Sequence, residues 1–268
     1  MSFTVTTSDF SLGQTLECGQ CFRWRPDSDG RYVGVAHGKL LSISQCGDTL
    51  EIEGCGQEEY EEWLRSYLGL DEPYDSFKAT LSRDAVLCDA ISYAPGIRVM
   101  KQPLWETLCS FIISQNNNIT RITKIVDTLC RCFGTDLGGY FDFPSPRALA
   151  ELDRADLACL VCGYRDVYIM DAAQRFANGL IDENFVQSAP LCDARDHLMT
   201  IKGVGPKVAD CVLLFGAQRY DAFPRDVWIK RAMAELFPNG LPDYALPIAG
   251  IAQQYIFHYA RKSGIFER

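Results

Sequence analysis

Two hydrophobic rhythms divide the chain. Up to about residue 55, short apolar and polar runs alternate between turn signals, as strands do. Phe22-Arg23-Trp24 leads to a turn at Pro26-Asp27-Ser28-Asp29-Gly30, and Arg31-Tyr32-Val33-Gly34-Val35 to a turn at His37-Gly38. Lys39-Leu40-Leu41-Ser42-Ile43 and Thr49-Leu50-Glu51-Ile52 follow. This pattern predicts an antiparallel meander, to which the first 15 residues can add a strand. Beyond it, apolar residues recur at helical spacing, predicting helices over 58–68, 76–93, 104–115, 119–133, 147–161, 167–178, 193–200, 206–215 and 247–263. The predicted fold class is α+β. A small N-terminal antiparallel β-sheet module, residues 1–75, precedes a mainly helical body, residues 76–268, with a helix-hairpin-helix motif.

Composition narrows the class. The 268 residues are 47% hydrophobic and 23% charged, an ordinary globular balance with ample length for a core. No apolar run is long enough to span a bilayer. Met1-Ser2-Phe3-Thr4-Val5 lacks the basic and apolar regions of a secretory signal. The expectation is an intracellular protein without a targeting segment, cytoplasmic in a prokaryote or nuclear in a eukaryote, and monomeric. The net charge of −9 argues against bulk electrostatic binding of nucleic acid. A nucleic-acid enzyme with this charge needs a locally positive face on an acidic body. Twelve cysteines lie mostly in apolar runs, where a reduced thiol behaves as a small hydrophobe. The C-x-x-C pairs Cys18/Cys21 and Cys159/Cys162 offer zinc ligands, but no ribbon pattern surrounds either pair. No cysteine follows Cys211, which excludes an iron–sulfur cluster C-terminal to the hairpin.

The chemistry concentrates in Gly203-Val204-Gly205-Pro206-Lys207-Val208-Ala209-Asp210-Cys211. Gly203, Val204 and Gly205 make a tight hairpin, and Pro206 suits a first helical position. Such a hairpin offers free backbone N–H groups to a phosphate. The plain alternative is a helix–turn–helix used only for packing. Lys207 stands in the first turn beside Val204, Val208 and Ala209, which can exclude water from it, and the helix N-terminus disfavours its charge. An uncharged amine there can attack C1′ of a nucleotide and form an imine. Asp226, in Phe223-Pro224-Arg225-Asp226-Val227, can stabilise positive charge at C1′ as the base departs. Its plain alternative is an N-cap, and the two roles are compatible because a capping carboxylate is rigidly aimed.

Five blocks in order resemble the 8-oxoguanine DNA glycosylase/lyase family of the helix-hairpin-helix glycosylase superfamily. They are residues 17–24 (Glu-Cys-Gly-Gln-Cys-Phe-Arg-Trp), residues 114–122 (Ser-Gln-Asn-Asn-Asn-Ile-Thr-Arg-Ile), Gly163-Tyr164-Arg165, the lysine hairpin with Asp226, and residues 252–257 (Ala-Gln-Gln-Tyr-Ile-Phe). The resemblance implies a bifunctional repair enzyme that needs no metal or organic cofactor. It implies a partner, double-stranded DNA holding an oxidised guanine. Lys207 is then the nucleophile and Asp226 its partner. The Gly19 carbonyl reads the hydrogen that 8-oxoguanine carries at N7, where guanine has an acceptor. Cys211 and Phe257 sandwich the flipped base, and Gln253, four residues before Phe257, bonds its Watson–Crick edge. Asn116, Arg121 and Arg165 face the opposite base, and Tyr164 wedges into the vacated stack. Trp228 departs from the pattern, since well-known members carry a phosphate-positioning histidine there. The rivals are a glycosylase for another damaged purine, a non-catalytic DNA-binding module, and a thiol-redox or zinc protein built on the C-x-x-C pairs.

Overall fold

The computed structural model describes residues 2–265. Five antiparallel strands form one sheet: β1 (Ser2–Thr6), β2 (Arg25–Pro26), β3 (Tyr32–Ala36), β4 (Lys39–Cys46) and β5 (Thr49–Glu53), in the order β1-β5-β4-β3-β2. The register pairs Ile43 with Ile52 and Val5 with Leu50. Alternation therefore sends Leu41, Ile43, Leu50 and Ile52 to one face, where all four are fully buried. His37 and Gly38, both at positive φ, form the two-residue turn that joins β3 to β4. The N-terminal residues do join the sheet, as β1. The predicted strand at Phe22-Arg23-Trp24 is a correction. Pairing begins only at Arg25, because Phe22 and Trp24 are both buried and the segment is spent on packing.

A continuous helical run packs on the sheet: Gln57–Glu59, a π-helical turn Tyr60–Leu64, and Arg65–Tyr67. Tyr60, Leu64, Tyr67 and Leu68 close a first apolar core with Leu41, Ile43, Leu50 and Ile52. A second, larger core fills the helical body. The block at 18–24 straddles the two: Cys21 and Trp24 belong to the sheet core, Cys18 and Phe22 to the helical one. That seam delivers Gly19 from the N-terminal part to the surface of the helical body.

Two long predicted helices are broken by short-range polar bonds. The 76–93 segment is two helices, Tyr74–Leu81 and Ala85–Tyr93, because Asp84 caps the second by accepting the Leu87 N–H at 3.0 Å. The 147–161 segment is Pro146–Ala150 followed by a 3-10 turn, Asp156–Leu160. Asp153 accepts the N–H groups of Ala155 and Asp156 (2.8 and 3.1 Å), which competes with a helical continuation. Short capped helices at Leu12–Leu16 and Glu183–Ser188 escaped the periodicity reading altogether. No helix among the described residues is long and apolar enough to cross a membrane. The cysteines are free thiols, and no group of three or more His, Cys, Asp or Glu gathers among the described residues as a metal would need.

Among the described non-glycine residues at positive φ, Val161 is the β-branched one. Val161 ends the Asp156–Leu160 turn at φ 48° and ψ 38°, 75% exposed. A β-branched residue in the left-handed region costs about 1–2 kcal/mol, whereas Asn visits it readily. Val161→Asn should therefore raise stability by up to about 1 kcal/mol. Chemical denaturation checks this; a loss of stability would show that the isopropyl group makes a favourable contact that outweighs the strain.

Candidate active site

The hairpin of the sequence reading lies between helices Leu191–Met199 and Pro206–Gly216. A partly buried ion pair clips the two helices together: Arg195 Nε lies 2.7 Å from Asp210 Oδ1. The hairpin itself rests on helix Arg165–Ala177. Asp171 Oδ2 accepts the Lys202 N–H at 2.8 Å. Gly203 sits at φ 79°, and any Cβ there would overlap the Tyr168 ring. Both the torsion and the close approach demand glycine. Gly205 is different: it is the N-cap, no side chain caps the helix there, and space above it is open for at least 4 Å. The first turn of Pro206–Gly216 thus presents backbone to an approaching anion.

Lys207 follows in that first turn and is half-buried. Its Nζ donates to Ser114 Oγ at 3.3 Å and lies 5.0 Å from the Phe111 ring centroid. Both partners come from the end of helix Leu104–Ile113, which packs along Pro206–Gly216 through the stacked rings of Phe111 and Phe215 (5.4 Å). Among the described residues no carboxylate forms an ion pair with Nζ. Asp226 caps helix Val227–Leu236, its Oδ1 accepting the Ile229 N–H at 2.8 Å. The cap fixes the carboxylate on the wall of the same cleft, of about 630 Å³, that Lys207 lines. Both groups act on the Cys211 thiol one helical turn below. Burial pushes that thiol up to about 11; Lys207 draws it down and Asp226 raises it further. Among the described residues four cations line the cleft, Lys207, Arg225, Lys230 and Arg261, against the single carboxylate of Asp226. This is the locally positive face that the acidic chain required.

Gly19 reaches the cleft from the other side. Its φ is 87°, and a Cβ would meet Phe257, Ile119 and Arg261 within 3.8 Å. Its loop is pinned by two buried glutamines. Gln20 donates to the carbonyls of Thr15 (2.9 Å) and Arg98 (2.7 Å) and accepts the Met100 N–H (2.8 Å). Gln254 donates to Cys18 Sγ at 2.9 Å and to the Cys18 carbonyl at 3.3 Å. These bonds, set against burial, leave the Cys18 thiol raised to about 11. The first C-x-x-C pair is therefore packing and positioning material. Its neighbour Gln253 differs: it is 4% exposed, and its Oε1 is buried without a partner.

The residues expected to face the opposite strand surround one turn. Asn118 caps helix Ile119–Phe133 by accepting the Arg121 N–H at 3.0 Å. Asn116 instead stands exposed at φ 47°, its Nδ2 3.3 Å from the Tyr164 hydroxyl. Tyr164 is 45% exposed, and Arg121 donates to the Val161 carbonyl at 3.2 Å. Arg165 departs from expectation. It is buried, and its guanidinium donates to the carbonyls of Gln115, Asn116 and Cys162. The arginine ties together the two loops that carry Asn116 and Tyr164, rather than pointing outward from them. Cys211 and Gln253 lie beneath the cleft, whereas Gly19, Asn116, Lys207, Asp226 and Phe257 line it. Trp228 also lines it, 42% exposed in the first turn after Asp226. The sequence reading gave no role to Ser114, Phe111, Gln20 or Arg261. Ser114 stood inside a quoted block, and its place at a helix end beside the triple asparagine was the signal available.

The comparisons agree with this architecture. Residues 2–108 match the family model of the 8-oxoguanine DNA glycosylase N-terminal domain, and residues 109–243 that of the HhH-GPD superfamily of base excision DNA repair proteins. An N-glycosylase/DNA lyase of Saccharomyces cerevisiae is 34% identical over 256 residues, covering 85% of this chain and 68% of that protein. The solved structure of MBOgg1 in complex with a low affinity DNA ligand superposes with a TM-score of 0.92 at 40% identity, covering 98% of this chain and 96% of that one. Clostridium acetobutylicum 8-oxoguanine glycosylase/lyase, in complex with double-stranded DNA containing cytosine opposite 8-oxoG, superposes with a TM-score of 0.88 at 32% identity, over 98% and 99% of the two chains. Fold and site together define a helix-hairpin-helix base-excision protein. The chain belongs to the 8-oxoguanine DNA glycosylase family.

The orphaned acceptor of Gln253 separates stability from activity. Leaving a buried oxygen unbonded costs about 1–3 kcal/mol, so Gln253→Leu should hold or raise the melting temperature while base excision falls. A drop in stability with unchanged excision would make Gln253 a packing residue.

Proposed function

We propose that this chain excises 8-oxoguanine opposite cytosine from duplex DNA through an imine on Lys207 and then nicks the abasic site. The observation that carries this reading is the half-buried Lys207 amine, without an acid partner, facing the same positively lined cleft as a rigidly capped Asp226. The yeast relative is an N-glycosylase/DNA lyase and the Clostridium relative an 8-oxoguanine glycosylase/lyase, which supports both halves of the activity. All the groups come from one chain, so a monomer suffices.

In the proposed reaction the DNA backbone rests on the open helix end at Gly205. The lesion is everted, and Asn116, Arg121 and Tyr164 meet the strand left behind, with Arg165 holding their two loops in register. The Gly19 carbonyl accepts N7–H of the lesion and would face a lone pair on guanine, a mismatch worth about 1–3 kcal/mol. Gln253 Oε1 gains the donors of the Watson–Crick edge. The neutral Cys211 thiol and the Phe257 ring take the two faces of the base.

The Nζ lone pair forms a bond to C1′ as the C1′–N9 electron pair leaves with the base, which takes up a proton. Asp226 offsets the positive charge that grows at the sugar meanwhile. The attached amine loses a proton and the C1′–O4′ bond opens, giving an iminium. That iminium acidifies C2′–H. Removal of this proton expels the 3′ phosphate by β-elimination, and water then hydrolyses the imine to free Lys207.

Borohydride reduction during turnover should give wild type a covalent DNA adduct and Lys207→Gln none. Asp226→Asn keeps a good capping side chain, so folding and DNA binding should persist while single-turnover excision slows by about 100-fold or more. An adduct that survives in Lys207→Gln would refute the role of this lysine. Parallel loss of binding in Asp226→Asn would reduce the aspartate to a cap.

A further inference from the structure

Arg261 stands four residues beyond Phe257 on helix Ala249–Lys262, on the same face of it. Its guanidinium carbon lies 5.1 Å from the Phe257 ring centroid. On the other side, Nη1 comes to 3.8 Å of the point a Cβ would occupy on Gly19. The side chain lines the cleft with Lys207 and Asp226. Among the described residues it makes no ion pair, whereas Arg23, Arg154, Arg195 and Arg219 all do. A half-buried guanidinium with five donors and no acid paired to it among the described residues is available to an acceptor that enters the cleft.

The lesion supplies that acceptor next to Gly19. One edge of 8-oxoguanine reads O6, N7–H, O8: an acceptor, a donor, an acceptor. If the Gly19 carbonyl takes N7–H, a donor beside it meets one of the flanking oxygens. Guanine also has O6, but only the lesion has O8. We infer that Arg261 is a specificity-determining residue whose guanidinium donates a hydrogen bond to the C8 oxygen of the lesion, beside the Gly19 carbonyl. Guanine in the same place turns C8–H toward the guanidinium and a lone pair toward the carbonyl, so both contacts fail together. Its contact with the Phe257 ring restrains the cation before the base arrives. This inference rests on the proposed role of Gly19 and Phe257 as the lesion pocket.

The test compares wild type, Arg261→Gln and Arg261→Lys on two duplexes, one with 8-oxoguanine opposite cytosine and one with a preformed abasic site. Arg261→Gln should slow single-turnover excision of 8-oxoguanine roughly 10- to 100-fold, the worth of a hydrogen bond to a charged donor. Its β-elimination at the abasic site, where no base is present, should fall by a clearly smaller factor, the share of one among the cleft cations, and an unchanged melting temperature shows that the variant folds. Arg261→Lys keeps a cation and a donor and should recover part of the loss. A third duplex carries 8-thioguanine, which retains N7–H but replaces the oxygen with sulfur, a weaker acceptor. The penalty of Arg261→Gln should shrink on it. Equal loss on the oxidised and abasic duplexes would assign Arg261 to the phosphate backbone and overturn the inference. So would unchanged excision, or the same penalty for oxygen and sulfur, which would make Arg261 only a support for Phe257. Failure of wild type itself to excise 8-oxoguanine would overturn the functional reading instead, a result distinguishable from any behaviour of the variants.

Discussion

Everything in this site depends on one packing arrangement, that of helix Pro206–Gly216 against helix Leu104–Ile113. The stack of Phe111 on Phe215 and the ion pair of Arg195 with Asp210 fix the first helix from two sides. The end of the second then brings Ser114, 93 residues away in sequence, and Phe111, farther still, to the Lys207 amine. The result is a lysine restrained by a hydroxyl and a ring instead of by a carboxylate. An ion-paired ammonium would be a stable surface feature and a poor nucleophile. Here the acid of the site, Asp226, is held at its own helix end by the Ile229 N–H, close enough to act on the same cleft and committed elsewhere by its cap.

The same economy of polar groups shapes the lesion pocket. Gln20, Gln254 and Arg165 are buried with their bonds made to backbone and thiol partners, and each fixes a loop that ends in a binding residue. Gln253 is buried beside Gln254 with its oxygen unbonded. A satisfied polar group specifies structure; an unsatisfied one stores a cost that a matching ligand can relieve. Of these adjacent glutamines, Gln254 is bonded into the scaffold and Gln253 keeps an unbonded acceptor for its proposed role in recognition. The acidic chain treats charge likewise: its cations are concentrated at the cleft, four against one carboxylate.

Much of this was legible in the sequence because its signals are local. The meander follows from period-two alternation and the His37-Gly38 turn, and the hairpin from Gly203, Gly205 and Pro206 in succession. Asp226 could be placed at a helix start because capping needs only the next three residues. The broken helices at Asp84 and Asp153 were misread because a single side-chain bond outweighs an otherwise helical apolar spacing. Ser114, Arg261 and the inward turn of Arg165 were illegible for a different reason: each is defined by a partner 49 or more residues away. Gln253 lay between; its spacing to Phe257 suggested it, whereas the bonds of Gln254 to Cys18 could not be read from the sequence.

The central claim is that one particular amine meets the sugar. Lys230 lines the same cleft, and its amine is the nearest competitor in kind. The decisive measurement is proteolysis and mass spectrometry of the borohydride-reduced complex formed on an 8-oxoguanine·cytosine duplex. The account predicts that the reduced sugar remnant maps to Lys207 alone. A remnant on Lys230, or on any other amine, would contradict it.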